Sequence, residues 1–145
     1  MSPMGADDLA TAYPVGAAGN LVRTIDPPSV RAFADLSGDH NPIHLDEAAA
    51  ARSRFGRPVC HGAHVASLVS ALLGTKFPGP GTIFVSQSFR FLKPAFVGDT
   101  FVVRAEVVGH EKGRFVRLKA TVSRQGGEAV LDGDVLVLPP EAPRT

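Results

Sequence analysis

HGAHVASLVSALLG, residues 61–74, is the longest stretch of helical spacing in this chain of 145 residues. Val65, Leu68, Val69, Leu72 and Leu73 recur at steps of three and four, the period of one helix face. The other positions, Ala63, Ala66, Ser67, Ser70 and Ala71, are small, and the stretch holds no Asp, Glu, Lys or Arg. A helix without a charged face is expected to be buried on most sides, and Gly74 suits its C-terminal cap. The segment KFPGPGT (76–82) then ends it.

Downstream the period changes from helical to two. In 101–108, Phe101, Val103, Ala105 and Val107 alternate with Arg104 and Glu106; in 115–123, Val116, Leu118, Ala120 and Val122 alternate with Arg117, Lys119, Thr121 and Ser123. IFVSQSFRFL (83–92) and AVLDGDVLVL (129–138) read as two further strands. The links KPAFVGD, GHEKG and RQGGE are short and turn-like, which predicts an antiparallel meander. Upstream, LVRTI (21–25) reads as a short strand. Asp26 before Pro27 and Pro28 starts a helix that places Val30, Phe33 and Leu36 on one face and ends at Gly38. Asp46 is the expected N-cap of a second short helix, EAAAARS. The architecture that follows is α+β, a curved antiparallel sheet against one long apolar helix. Residues 1–19 lack a sustained period and are expected to form a flexible N-terminal arm, with 20–140 a single domain and 141–145 a C-terminal tail.

The composition, 44% hydrophobic and 20% charged, is that of a globular chain. Fifteen basic and fourteen acidic residues leave a formal charge of +1, which gives no electrostatic footprint for nucleic acid or an anionic membrane. The apolar run 65–74 is roughly half the length that a membrane-spanning helix needs. MSPMGADDLA has no Lys or Arg, unlike a secretory signal, and Cys60 has no second cysteine to pair with. A cytoplasmic protein is the expectation.

SGDHNPIHLD (37–46) sets Asp39, Asn41 and His44 around Pro42, between two helices. One reading is a helix end followed by an Asx-type turn, since Gly, Asp, Asn and Pro are all turn residues. The other is a proton-transfer site on a stiff bend: a carboxylate and an imidazole converging on one water supply both acid and base. Pro42 disfavours helix at Asn41, so Asp39 and His44 need not follow helical spacing. His40 and His44 are four apart and His61 and His64 three apart, but Pro42 argues against a helical pair. No cysteine pair or H-E-x-x-H pattern accompanies them, so no metal is expected. Cys60 reads as structural, and Ser67 and Ser70 lack the G-x-S-x-G context of a hydrolase.

FADLSGDHNPIHLDEAAA (33–50) resembles the signature of the MaoC-like, or hydratase 2, branch of the hotdog superfamily, matching at Phe33, Ser37, Gly38, Asp39, Asn41, Pro42, Ile43, His44 and Ala50. RPVCHGAHVASLVSALLG is similar to that family's central helix and the segment entering it, and LKPAFVGDTFVVRAEV to the strand–turn–strand that follows. The resemblance covers roughly residues 20–138. It implies a hotdog fold, a sheet wrapped around one helix, and hydration of a trans-2-enoyl-CoA to the (R)-3-hydroxyacyl-CoA or the reverse dehydration, without a cofactor. It further implies that Asp39 and His44 are the catalytic pair with Asn41 between them, and that the Gly62 N–H holds the thioester oxygen. Ser70 and Leu73 then line the acyl pocket, and His61 and His64 are further substrate-binding candidates; His61 either fixes the loop or is only a helix-start residue, and His64 stands where an apolar residue is usual. Asp39 is expected on the water and His44 as proton donor. A homodimer, or a higher multimer, that binds acyl-CoA follows from the same resemblance. Two rivals are a hotdog thioesterase, disfavoured because 61–74 has no carboxylate, and a non-catalytic acyl-thioester-binding subunit.

Overall fold

Residues 5–141 are described by the computed structural model. They form helix α1 (Ala6–Ala12), strand β1 (Ala18–Thr24), helices α2 (Pro27–Ser37), α3 (Pro42–Leu45), α4 (Glu47–Ala51) and α5 (Gly62–Thr75), then strands β2 (Ile83–Phe91), β3 (Thr100–Glu111), β4 (Phe115–Arg124) and β5 (Ala129–Leu138). The sheet runs β1-β3-β4-β5-β2, antiparallel throughout. Its centre is the pair β3 and β4, whose alternation buries Phe101, Val103, Ala105 and Val107 against Val116, Leu118, Ala120 and Val122. That inner face meets Val65, Leu68, Val69, Leu72 and Leu73 of α5 in one apolar cluster. Fully burying each such side chain is worth about 1.5–3 kcal/mol, so the cluster is what holds the helix on the sheet.

The hotdog arrangement expected from the sequence is present, with five departures. The meander covers only β3–β4–β5. Strand β2 pairs with β5 at the far edge, so KPAFVGD is a crossover rather than a hairpin link. Period-two patterning states which residues face inward but not which strand lies alongside. Most of GHEKG belongs to β3, and the chain reverses at Lys112 and Gly113, both with positive φ (54° and 67°). Leu36 is 87% exposed, because α2 buries only a narrow line through Val30 and Ala34. Helix α5 continues past Gly74 to Thr75, and the Lys76 N–H closes on the Leu72 carbonyl. As expected, the helix is buried on most sides, with Ala66 and Ala71 packed on the core and one open stripe at Ala63, Ser67 and Ser70.

The fifth departure is the N-terminal arm. Among its described residues, 6–12 form α1, and Leu9 is 1% exposed within the core cluster. The Tyr13 ring meets Phe77 edge-on at 6.1 Å, the Tyr13 carbonyl accepts from His110 Nε2 at 2.6 Å, and β1 begins at Ala18. One leucine in a run of Ala and Asp carries no periodicity, yet it suffices to dock a two-turn helix. Residues 1–4, and 142–145 of the expected tail, lie outside the described residues.

Candidate active site

Helix α2 starts as its sequence indicates: Asp26 Oδ1 accepts from the Ser29 N–H at 3.0 Å. It stops at Gly38, whose φ of 82° is readily reached without a Cβ. From there three side chains in turn hold the backbone. The Asp39 N–H donates to Ser37 Oγ at 3.1 Å, the Asn41 N–H to Asp39 Oδ1 at 3.1 Å, and the Ile43 N–H to Asn41 Oδ1 at 3.2 Å. The Asx-type turns expected of this stretch are therefore present. As expected, Asn41 stays out of helix, and Pro42 takes the first position of the one-turn helix α3, where its missing N–H costs nothing. Asn41 is the N-cap of that turn, and its Oδ1 is engaged in capping.

One turn after Pro42 brings the His44 ring to the segment that leads into α5. His44 Nδ1 lies 2.6 Å from the Val59 carbonyl. A carbonyl only accepts, so Nδ1 carries the proton and Nε2 is left as the free nitrogen of the neutral ring. The ring stacks on His61, centroids 3.9 Å apart at 26°. His61 is 2% exposed and its Nε2 donates to the Asp39 carbonyl at 2.9 Å. Phe33 from α2 covers the other side, tilted on His61 at 4.9 Å and stacked on His64 at 4.8 Å. A carboxylate oxygen of Asp39 and one ring nitrogen each of His44 and His61 come within 4.8 Å of one another, close enough for Asp39 and His44 to share one water.

Burial lowers the pKa of His44, and the neighbouring His61 lowers it further; the Val59 carbonyl and Asp39 act in the opposite direction. His64 is lowered by burial and by His61. His40, by contrast, faces solvent with its Nε2 2.9 Å from Asp35, which raises its pKa. The same three polar groups are of the right types and spacing for a metal ion, and one nitrogen of each histidine is held by a backbone carbonyl.

Gly62 opens α5 directly after His61. A Cβ placed on it would meet Phe91 Cε1 and Cζ at 3.2 Å, so the ring of an exposed β2 residue lies over this glycine. Beside it is a mostly apolar cavity of about 160 Å³, bounded by Gly62 and Val65 on the helix and by Phe91 and Lys93 across from them. Cys60 also borders the cavity, but burial pushes its thiol up to about 12, which suits the structural role and not a nucleophile. The other two expected pocket residues are elsewhere. At 1.5 Å per residue Ser70 is about 12 Å and Leu73 about 16 Å along the axis from Gly62. Ser70 is on the exposed side of α5 and Leu73 is inside the core cluster. His61 sits behind the pair, buried beneath Asp39 and His44. The Val59 carbonyl and the Phe91 ring were not singled out from the sequence. A backbone acceptor leaves no residue-type signal, and Phe91 reads only as a strand residue.

Residues 16–127 match the family model described as MaoC like domain. Among curated proteins, the chain is 44% identical over 128 residues to the 3-hydroxybutyryl-CoA dehydratase of Methylorubrum extorquens, covering 88% of this chain and 81% of that protein. It is 40% identical over 129 residues to the (R)-specific enoyl-CoA hydratase of Aeromonas caviae, covering 88% and 96%. Two solved structures superpose closely. The A. caviae (R)-hydratase does so with a TM-score of 0.85, at 40% identity, over 88% of this chain and 98% of that one. The unliganded R-hydratase PhaJ1 of Pseudomonas aeruginosa gives a TM-score of 0.86, at 34% identity, over 97% and 88%. With the loop, the stacked histidines and the glycine-headed helix in one site, and with relatives of this identity and coverage, the chain belongs to the MaoC-like domain family.

Proposed function

We propose that the chain is a hydro-lyase that adds water to a trans-2-enoyl-CoA to give the (R)-3-hydroxyacyl-CoA, or removes it in reverse, with Asp39 and His44 as the acid–base pair. The observation that carries this reading is the anchored imidazole. With Nδ1–H tied to Val59 and the pKa lowered by burial, His44 keeps Nε2 unprotonated, and a ring nitrogen of His44 lies within 4.8 Å of an Asp39 carboxylate oxygen. Nε2 takes a proton from a water that Asp39 orients, the hydroxyl oxygen bonds to C3 of the enoyl thioester, and the same Nε2 returns the proton to C2. One O–H bond and the C2=C3 π bond break, and one C–O and one C–H bond form. This order differs from the sequence expectation, in which Asp39 takes the water's proton: a neutral His44 whose only N–H is bound to a carbonyl must accept before it donates. Proton transfer of this kind is worth about 10²–10⁴ in rate.

Charge that develops on the thioester oxygen is met by the Gly62 N–H at the N-terminus of α5; one such donor is worth about 3–4 kcal/mol. The relatives are named for (R)-specific enoyl-CoA hydration and for 3-hydroxybutyryl-CoA dehydration, and this supports a CoA thioester as the substrate. No cofactor enters this scheme. The chain acts as a homodimer joined at the β2 edge. That strand exposes Ile83, Val85 and Phe91, with Leu92 just beyond. Ser70 is exposed on α5 and belongs, in this reading, to an acyl pocket that the second copy completes. The test is the loss of conjugated-thioester absorbance from crotonyl-CoA with wild type, Asp39→Asn and His44→Ala. Loss in wild type alone, without thiol release, supports hydration; thiol release in place of it moves the activity to a thioesterase, and silence in both on longer enoyl-CoAs to a binding subunit.

A further inference from the structure

We infer that His61 is the positioning residue of this site, a single buried ring that sets Asp39 and His44 against each other and against the first N–H of α5; the inference rests on the acid–base reading above. Among the described residues His61 is the one buried polar side chain. Burying an imidazole costs free energy unless its polar atoms are matched, and here Nδ1 has no partner. A packing role would be filled at lower cost by leucine or phenylalanine. An N-capping role would be filled by Ser, Thr or Asp, and His61, although it stands at the N-cap of α5, makes no side-chain capping bond.

What the ring does instead is join three segments. Its Nε2–H holds the Asp39 carbonyl at 2.9 Å, which fixes where the loop after α2 turns. Its face supports the His44 ring at 3.9 Å, while Val59 holds that ring by its edge. Its own backbone leads directly into Gly62. The Phe33 ring, 4.9 Å away, closes the other side, so His61 cannot swing without disturbing α2. Asp39 itself is exposed and, apart from the bond that His61 donates to its carbonyl, is held by local turn bonds.

The experiment measures kcat and KM for crotonyl-CoA hydration, and thermal unfolding, in wild type, His61→Phe and His61→Gln. Phenylalanine keeps a ring and loses the donor; glutamine keeps an N–H near the height of Nε2. Misplacing a reacting group by about 1 Å can cost 10²-fold, so His61→Phe is expected to lose about 10- to 100-fold in kcat at a nearly unchanged KM, with His61→Gln recovering most of it. In parallel, nitrogen-15 NMR of the wild type is expected to find the His61 proton on Nε2 and protected from exchange. Undiminished kcat in His61→Phe, equal losses in the two variants, or a proton on Nδ1 overturns the inference. If a variant does not fold, the NMR result decides. A wild type that hydrates nothing defeats the acid–base reading itself, and the NMR result then still reports whether His61 holds Asp39.

Discussion

At the scale of single residues, the site divides into groups that react and groups that hold them. Asp39→Asn and His44→Ala are expected to lower hydration by about 10²–10⁴-fold with the fold retained, measured as initial rates beside circular dichroism. The pH profile follows from the direction of the His44 shift. Activity needs the free Nε2, so kcat/KM is flat above the lowered pKa and falls below it. The acid limb is therefore expected on the acid side of the ordinary histidine value of about 6.5, and a midpoint above that value would contradict the assignment. Stability moves the same way. An unfolded histidine takes up its proton near 6.5, whereas folded His44 and His64 resist until lower pH. The unfolded chain therefore binds more protons in that window, and stability falls as pH drops through it. His40, raised and exposed, acts oppositely but is screened by solvent. His64→Leu is expected to reduce the fall in Tm between about pH 7.5 and pH 5. The same variant tests acyl choice: an unchanged chain-length profile removes His64 from substrate selection.

At the scale of elements, the edges of the domain carry more than their sequences indicate. Leu9 anchors α1 in the main core, and Leu9→Ala is expected to cost about 2–4 kcal/mol, read as a lower Tm and urea midpoint. If 1–19 were a free arm, that substitution would be silent. Strand β2 is seated on a glycine. A Cβ at Gly133 of β5 would collide with the Ser88 carbonyl oxygen and lie 2.7 Å from Phe89 Cδ1 and 2.9 Å from Phe89 Cα. Gly133→Ala is therefore expected to unseat β2, with faster amide exchange along Ile83–Phe91, and to reduce activity by moving Phe91 away from Gly62. Neither effect follows from a single strand pattern, because each depends on which element lies alongside.

At the scale of the whole molecule, one chain presents an incomplete surface. Helix α5 has its apolar face in the core and its small face in the open, and the apolar side chains at the β2 edge lie uncovered. Sedimentation equilibrium is expected to find a dimer, and Ile83→Lys with Val85→Lys is expected to give monomers with little activity. An active monomer in that variant would dissociate the site from assembly. Among the described residues no helix is long and apolar enough to cross a membrane.

Much of this was legible in the residues themselves. Period two and the helical spacing of 61–74 mark inward faces because burial rewards every apolar position on one side, wherever the partner lies. The caps at Asp26, Gly38 and Asp46 are local, and short-range hydrogen bonds make them recognisable in any context. The pairing of Asp39 with His44 is implied by the resemblance of 33–50 to the MaoC-like signature; their spacing alone is equally that of an Asx-type turn. What only the tertiary structure decided are the pairings between distant segments. These are β2 beside β5, Leu9 in the core, the Val59 carbonyl that sets the His44 tautomer, and the His61 ring buried beneath Asp39 and His44. Those depend on packing and on backbone acceptors, which every residue carries alike, and so leave no mark on the identity of any one amino acid.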